Sequence, residues 1–173
     1  IYAECHGAEP RPLEVSLYPW SAPWMSPSGR RMIARSAEGH LLAVNLMDRA
    51  AQPLQATFGP DLLRTATTGG GPSVHVAPAG VLWSNDDRNA VVVNVVEPGM
   101  SGKDATALEN AYVASFDFQT RMWQSIERMS NVDNAEANAS SYVSDVRWLR
   151  TGEVLEITHS DLGKPDYTTA YSF

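Results

Sequence analysis

A chain of 173 residues, 43% hydrophobic and 19% charged, is long enough for one domain with a sizeable core and needs no covalent staple. Its formal charge of −7 argues against nucleic acid, whose phosphates draw affinity from clustered cations, and the Arg30-Arg31 pair is too small a patch to reverse that. Cys5 is the only cysteine, which excludes an internal disulfide framework and a cysteine zinc cage, and no run approaches the ~20 apolar residues of a membrane helix.

The 12 glycines and 11 prolines are spread along the chain and mark many turns between short elements. Residues 1–12 carry charges and prolines without a period and read as a tail. Residues 13–18 alternate apolar and polar, the pattern of a half-buried strand. Pro19 and Pro23 push the residues before them into extended backbone, which sets Trp20 and Trp24 on a stiff loop. These two tryptophans are the candidate aromatic contacts for a peptide, glycan or partner chain. Strands are expected on either side of Pro27-Ser28-Gly29, at 41–46 and at 54–58, joined by short turns into an antiparallel meander.

Residues 59–73, with Gly59-Pro60 and Gly69-Gly70-Gly71-Pro72, read as a flexible connector. After a short strand at 74–76 comes the strongest signal in the chain, residues 81–96: an apolar strand, the turn Asn85-Asp86-Asp87, and the run Val91 to Val96 broken only by Asn94. Branching at Cβ suits a pleated surface, and a short apolar run of this kind is a strand covered on both faces. A polar insertion at 97–110 precedes strands at 111–118 and 122–126. Leu108, Tyr112, Phe116, Met122, Ile126 and Met129 also fit a helical period, so a helix competes for 104–130; the turn chemistry of 117–121 favours the hairpin. Residues 131–141 read as a loop or short helix, 143–149 and 154–159 as a hairpin, and 167–173 as a last strand, one strand short of a full unit.

Aligned on their turns, Met25-Ser26-Pro27-Ser28-Gly29-Arg30, Trp83-Ser84-Asn85-Asp86-Asp87-Arg88 and Trp148-Leu149-Arg150-Thr151-Gly152-Glu153 are three copies of one strand-turn-strand unit. The pattern resembles the TolB-like β-propeller repeat, which also builds the propellers of prolyl-oligopeptidase-type peptidases. That resemblance implies an all-β fold of repeated antiparallel four-stranded sheets, propeller-like, with about three blades at 13–63, 72–130 and 142–173. The copies lie farther apart than the roughly 40–45 residues of a common propeller repeat, the excess falling in loops where binding surfaces usually sit. Propellers usually have about 4–8 blades, so three leave open sheet edges. The expected outcomes are part of a larger propeller, a ring completed by two copies, or an open sheet or sandwich, with residues 13–18 suited to completing the final blade.

No catalytic or metal motif stands out. The four histidines show no metal-ligand spacing, and no Gly-x-Ser-x-Gly elbow occurs. Cys5-His6 would need a fixed geometry that a tail does not supply, Asp86-Asp87 lacks the further oxygens of a calcium loop, and Gly69-Gly70-Gly71 lacks the lysine of a phosphate loop. His159 and Asp161, separated by one serine at a strand end, complete the binding candidates with Trp20 and Trp24. The expectation is a non-catalytic protein-interaction or ligand-binding module without cofactor or metal, with a protein or peptide partner and homo-oligomerisation through its open edges. The competing expectation is a propeller fragment or subunit of a serine hydrolase that gates substrate access. Ile1 in place of Met reads as a cleaved precursor or a fragment, and with the Asn138-Ala139-Ser140 sequon it favours a periplasmic or secreted location.

Overall fold

The computed structural model describes residues 15–19, 22–59, 65–67, 73–75, 77, 79–97, 110–132, 140–149, 153–161 and 164–173. Trp20, the Cys5-His6 pair, the glycine run at 69–71 and most of the 97–110 insertion lie outside these residues. Among the described residues every regular element is a strand, and no helix is long and apolar enough to cross a membrane. In the segment where a helix competed, the described residues 110–130 form strands and turns instead.

The first sheet is the meander β1 (Trp24–Met25), β2 (Arg31–Arg35), β3 (Leu41–Asn45) and β4 (Ala50–Leu54). A two-residue β5 (Thr57–Phe58) leaves it for the second sheet, and β6 (Thr65–Thr67) pairs with β7 (Ser73–His75) as a separate hairpin. The second sheet continues with β8 (Gly80–Trp83), β9 (Asn89–Val96), β10 (Ala111–Asp117) and β11 (Met122–Arg128). The third is β12 (Ser130–Val132), β13 (Ser140–Trp148), β14 (Val154–Asp161) and β15 (Tyr167–Ser172).

Three expectations from the sequence change here. The connector at 59–73 and the short strand at 74–76 contain the β6–β7 hairpin, so β7 does not open the second sheet. Residues 54–58 are not one strand: Thr57 and Phe58 pair with Val96 and Val95 of β9. The third sheet is not a strand short, because Ser130–Val132, read as loop, pairs with β13 as its first strand.

The same hydrogen bond closes all three strand pairs. Ser84 N–H donates to Asn89 O at 2.9 Å and Ser26 N–H to Arg31 O at 2.9 Å; Leu149 N–H donates to Val154 O at 2.8 Å over the same residue spacing. Within the first two, the serine hydroxyl accepts the N–H of the residue five ahead, Asn89 at 2.9 Å and Arg31 at 3.2 Å. Asp87 and Gly29, at equivalent places, take φ of 60° and 71°, a left-handed backbone that Asp tolerates and Gly adopts freely. The first two turns also touch: Ser28 N–H donates to Asp87 Oδ2 at 3.1 Å, and the Arg31 guanidinium donates to the Asp87 carbonyl.

β9 is buried along its whole length, and Asn94 explains how one strand serves two cores. Its φ of 62° sits at a register shift against β10, so the side-chain alternation slips by one residue there. Val91, Val93 and Val96 therefore face the third sheet, whereas Ala90, Val92 and Val95 face the first. The lone polar residue of the valine run is its bulge.

The result is three sheets stacked face to face in the manner of successive propeller blades. The outer face of the first sheet, Met32, Ala34, Leu42 and Val44, is apolar and buried, with Val15 and Leu17 packed on it. Residues 16–18 hold this position through Tyr18 N–H to Arg35 O and Ala37 N–H to Ser16 O, so the segment suited to the final blade lies on the first. The outer face of the third sheet is polar: Asp145 and Arg147 are exposed, and Arg147 pairs with Glu156 at 2.7 Å. A fourth sheet laid there would bury that pair, whose desolvation is costly.

Candidate functional site

One cluster of buried and half-buried polar side chains lies where the second sheet meets the third. Along β14 the alternation Leu155, Ile157, His159 points all three inward, and the imidazole is 1% exposed. On β11 the register shifts by one residue near Ile126, so Ile126 packs on the apolar core while Glu127, opposite Val113, faces the same side. That bulge brings Glu127 Oε1 within 3.0 Å of His159 Nε2. Tyr171 of β15 donates its hydroxyl to Glu127 Oε2 at 2.6 Å. Tyr167 stacks on His159 with ring centroids 4.6 Å apart and planes at 9°, and its hydroxyl donates to Ser141 Oγ at 3.3 Å. With the carboxylate accepting at Nε2, that nitrogen carries the ring proton.

Burial first, and then the hydrogen bond and charge of Glu127, push the Tyr171 phenol up to about 12. A phenol raised from about 10 adds stability that is complete below that pH and disappears as pH climbs toward 12. In alkaline spectrophotometric titration, Tyr171 is therefore expected to ionise last, with the missing group identified by Tyr171→Phe. A Tyr171 that titrates with ordinary phenols would mean its bond to Glu127 is not made in solution.

Tyr171 also lines an open wedge of about 510 Å³ between the two sheets. Ser115, Gln124 and Ile126 line it from the second sheet and Phe173 from the third. At its mouth Arg88 binds Asp117 with both forks, Nε to Oδ1 at 3.3 Å and Nη2 to Oδ2 at 3.1 Å. Burial alone would raise the Asp117 carboxyl, but Arg88 and the N–H groups of Gln119 and Thr120 outweigh it and hold the group below its usual range. A second wedge of about 390 Å³ lies between the first and second sheets beside Tyr112 and Trp123. It is crossed by the Trp123 indole, which donates to the Gln52 carbonyl at 3.2 Å.

Of the candidates named from the sequence, Trp20 lies outside the described residues, Trp24 is in β1, and His159 and Asp161 are both on β14. Trp24 is half-buried in β1 with its ring 4.6 Å from Phe58, inside the core between the first two sheets. His159 belongs to the buried cluster. Asp161, at the end of β14, lies 3.8 Å from Lys164, and its Oδ1 has no hydrogen-bond partner among the described residues. Glu127 and Tyr171 went unread, although the inward alternation of β14 was a signal: a histidine pointed into a core requires a partner. Among the described residues no group of three or more His, Cys, Asp or Glu is placed to hold a metal ion.

No family model matches the chain, and no curated protein matches it. Among solved structures it is similar to the tricorn protease, at 8% identity over 80% of this chain and 11% of that one, with a TM-score of 0.43. It is also similar to an oligogalacturonate lyase in complex with manganese, at 8% identity over 87% of this chain and 49% of that one, with a TM-score of 0.35. The chain thus spans less than half the length of either, and its propeller-like character rests on its own sheets and turns.

Proposed function

We propose that the chain is a non-catalytic binding module built from TolB-like propeller repeats, and that the wedge between its second and third sheets takes a short peptide. The observation that carries this reading is the wedge itself. Its volume of about 510 Å³ falls within the roughly 300–1,000 Å³ of ordinary ligand sites. Apolar Ile126 and Phe173 stand beside the hydroxyl and amide groups of Ser115 and Gln124, a lining suited to side chains and backbone of a peptide in alternation.

The chemistry of the buried cluster supports binding over catalysis. In a nucleophile-base-carboxylate relay the hydroxyl and the carboxylate meet opposite nitrogens of the imidazole. Here Glu127 and the Thr169 hydroxyl, 3.5 Å away, both meet Nε2. With a ring only 1% exposed, His159 serves to fix Glu127, which in turn holds the Tyr171 ring in the lining of the wedge.

The test is selection of binders from a displayed random peptide library, followed by calorimetric titration of the enriched peptides. Saturable binding is expected, and Gln124→Trp, which fills the wedge from an exposed position of its lining, should abolish it with the far-ultraviolet circular dichroism unchanged. Failure to enrich any binder, peptides indifferent to the filled wedge, or hydrolysis of the peptides that disappears in His159→Ala would each overturn the reading.

A further inference from the structure

Among the described residues most sheet edges are short or blunted; β8, Gly-Val-Leu-Trp, is unblunted but only four residues long, and the longest unblunted edge is β15. β4 carries Pro53 at its edge, β1 and β12 are two and three residues long, and β11 carries Glu127, Arg128 and a bulge. Short strands, proline, charge and bulges are the devices that stop an edge from pairing with another chain. β15, Tyr-Thr-Thr-Ala-Tyr-Ser, has no charge, no proline and an unbroken register against β14. Among the described residues no strand lies on its other side.

The phase of its hydrogen bonds follows from one contact. Phe173 N–H donates to Glu153 O at 3.1 Å, so Tyr171, Thr169 and Tyr167 also turn their backbone groups toward β14. Thr168, Ala170 and Ser172 then turn theirs outward, and all three are exposed.

We propose that β15 pairs antiparallel with β15 of a second copy, about a two-fold axis at Ala170. This register uses the whole of 167–173 and satisfies every outward group: Thr168 meets Ser172 of the partner subunit, and Ala170 meets its own equivalent. It also sets Tyr167, 45% exposed, against Phe173 of the partner subunit, and Phe173, 39% exposed, against the partner's Tyr167. Aromatic pairs across a non-hydrogen-bonded site are among the stabilising cross-strand contacts. An isologous edge of this kind closes after two chains, and it leaves the polar outer face of the third sheet in water. Because each copy carries a charge of −7, added salt should tighten the association.

Sedimentation over a concentration series is expected to show a mass twice that of the chain. Ala170→Pro removes an outward N–H and leaves the ladder with β14 intact, and Ala170→Lys places a charge on the axis; both should be monomeric with native near-ultraviolet circular dichroism. In a Cys5→Ser background, Ala170→Cys should form a covalent dimer under mild oxidation, since residues across such a pair have Cα atoms about 5.5 Å apart, within disulfide range. Thr168→Cys should not, its equivalent lying about 13 Å along the strands. A native chain monomeric at every concentration, a mass that grows beyond two, dimers that survive both substitutions at Ala170, or equal cross-linking at 168 and 170 would each overturn the proposal.

Discussion

Replacing Phe116 by alanine is expected to cost about 3–5 kcal/mol of stability, the usual loss for deleting a buried phenylalanine. The ring is 1% exposed and sits where the first and second sheets meet. It packs edge-on to Phe118 at 4.7 Å and tilted against Trp123 at 4.9 Å. Strand backbones around it are fixed by pairing on both sides, Ala90 on β9 and Trp123 on β11, so the sheet cannot collapse into the void. Denaturant unfolding measures the effect, and the matching fall in Tm is roughly 6–20 °C at about 2–4 °C per kcal/mol. A loss below about 1 kcal/mol, the range of an ordinary substitution, would mean that these two sheets do not share a core.

The same interface shows which links of the chain could be read from the sequence. Turn chemistry and β-branching are local, so the three turns and the valine strand were legible in Ser26, Ser84, Gly29 and the run from Val91. What was not legible is how sheets register against one another. Asn94 appeared only as an interruption, but its left-handed backbone is what sends Val95 and Val96 to faces opposite to those simple alternation assigns them. Thr57 and Phe58 were read as the end of the first meander because nothing local says that two residues will cross to β9. Ser130–Val132 was lost for a related reason: three residues supply too little alternation to be seen, and only the partner strand defines them. The distance between Glu127 and His159 is likewise set by a bulge in β11, which no periodicity in Met122 to Arg128 announces.

Glu127→Ala is expected to destabilise the chain by about 1–3 kcal/mol for each donor it orphans, the imidazole Nε2–H and the Tyr171 hydroxyl, whose bonds to the carboxylate are 3.0 and 2.6 Å long. Neither donor has an equivalent substitute: Thr169 Oγ1 stands 3.5 Å from the imidazole, at the outer limit of a hydrogen bond. Glu127→Gln should lose less, because the amide oxygen still accepts from one donor while its NH2 group faces the other. The distinguishing measurement is a double-mutant cycle with Tyr171→Phe. If the carboxylate joins the β11 edge to β15 through that hydroxyl, the two substitutions should couple by about 0.5–3 kcal/mol, whereas independent sites add to within about 0.5 kcal/mol. Coupling also fixes the cause of any lost peptide affinity. A Tyr171→Phe chain keeps an aromatic ring in the lining of the wedge, so a loss of binding in Glu127→Ala that Tyr171→Phe reproduces comes from a ring no longer held in place. Additive stabilities would instead place Glu127 and Tyr171 in separate environments, and the continuity from wedge to buried histidine would fail with them.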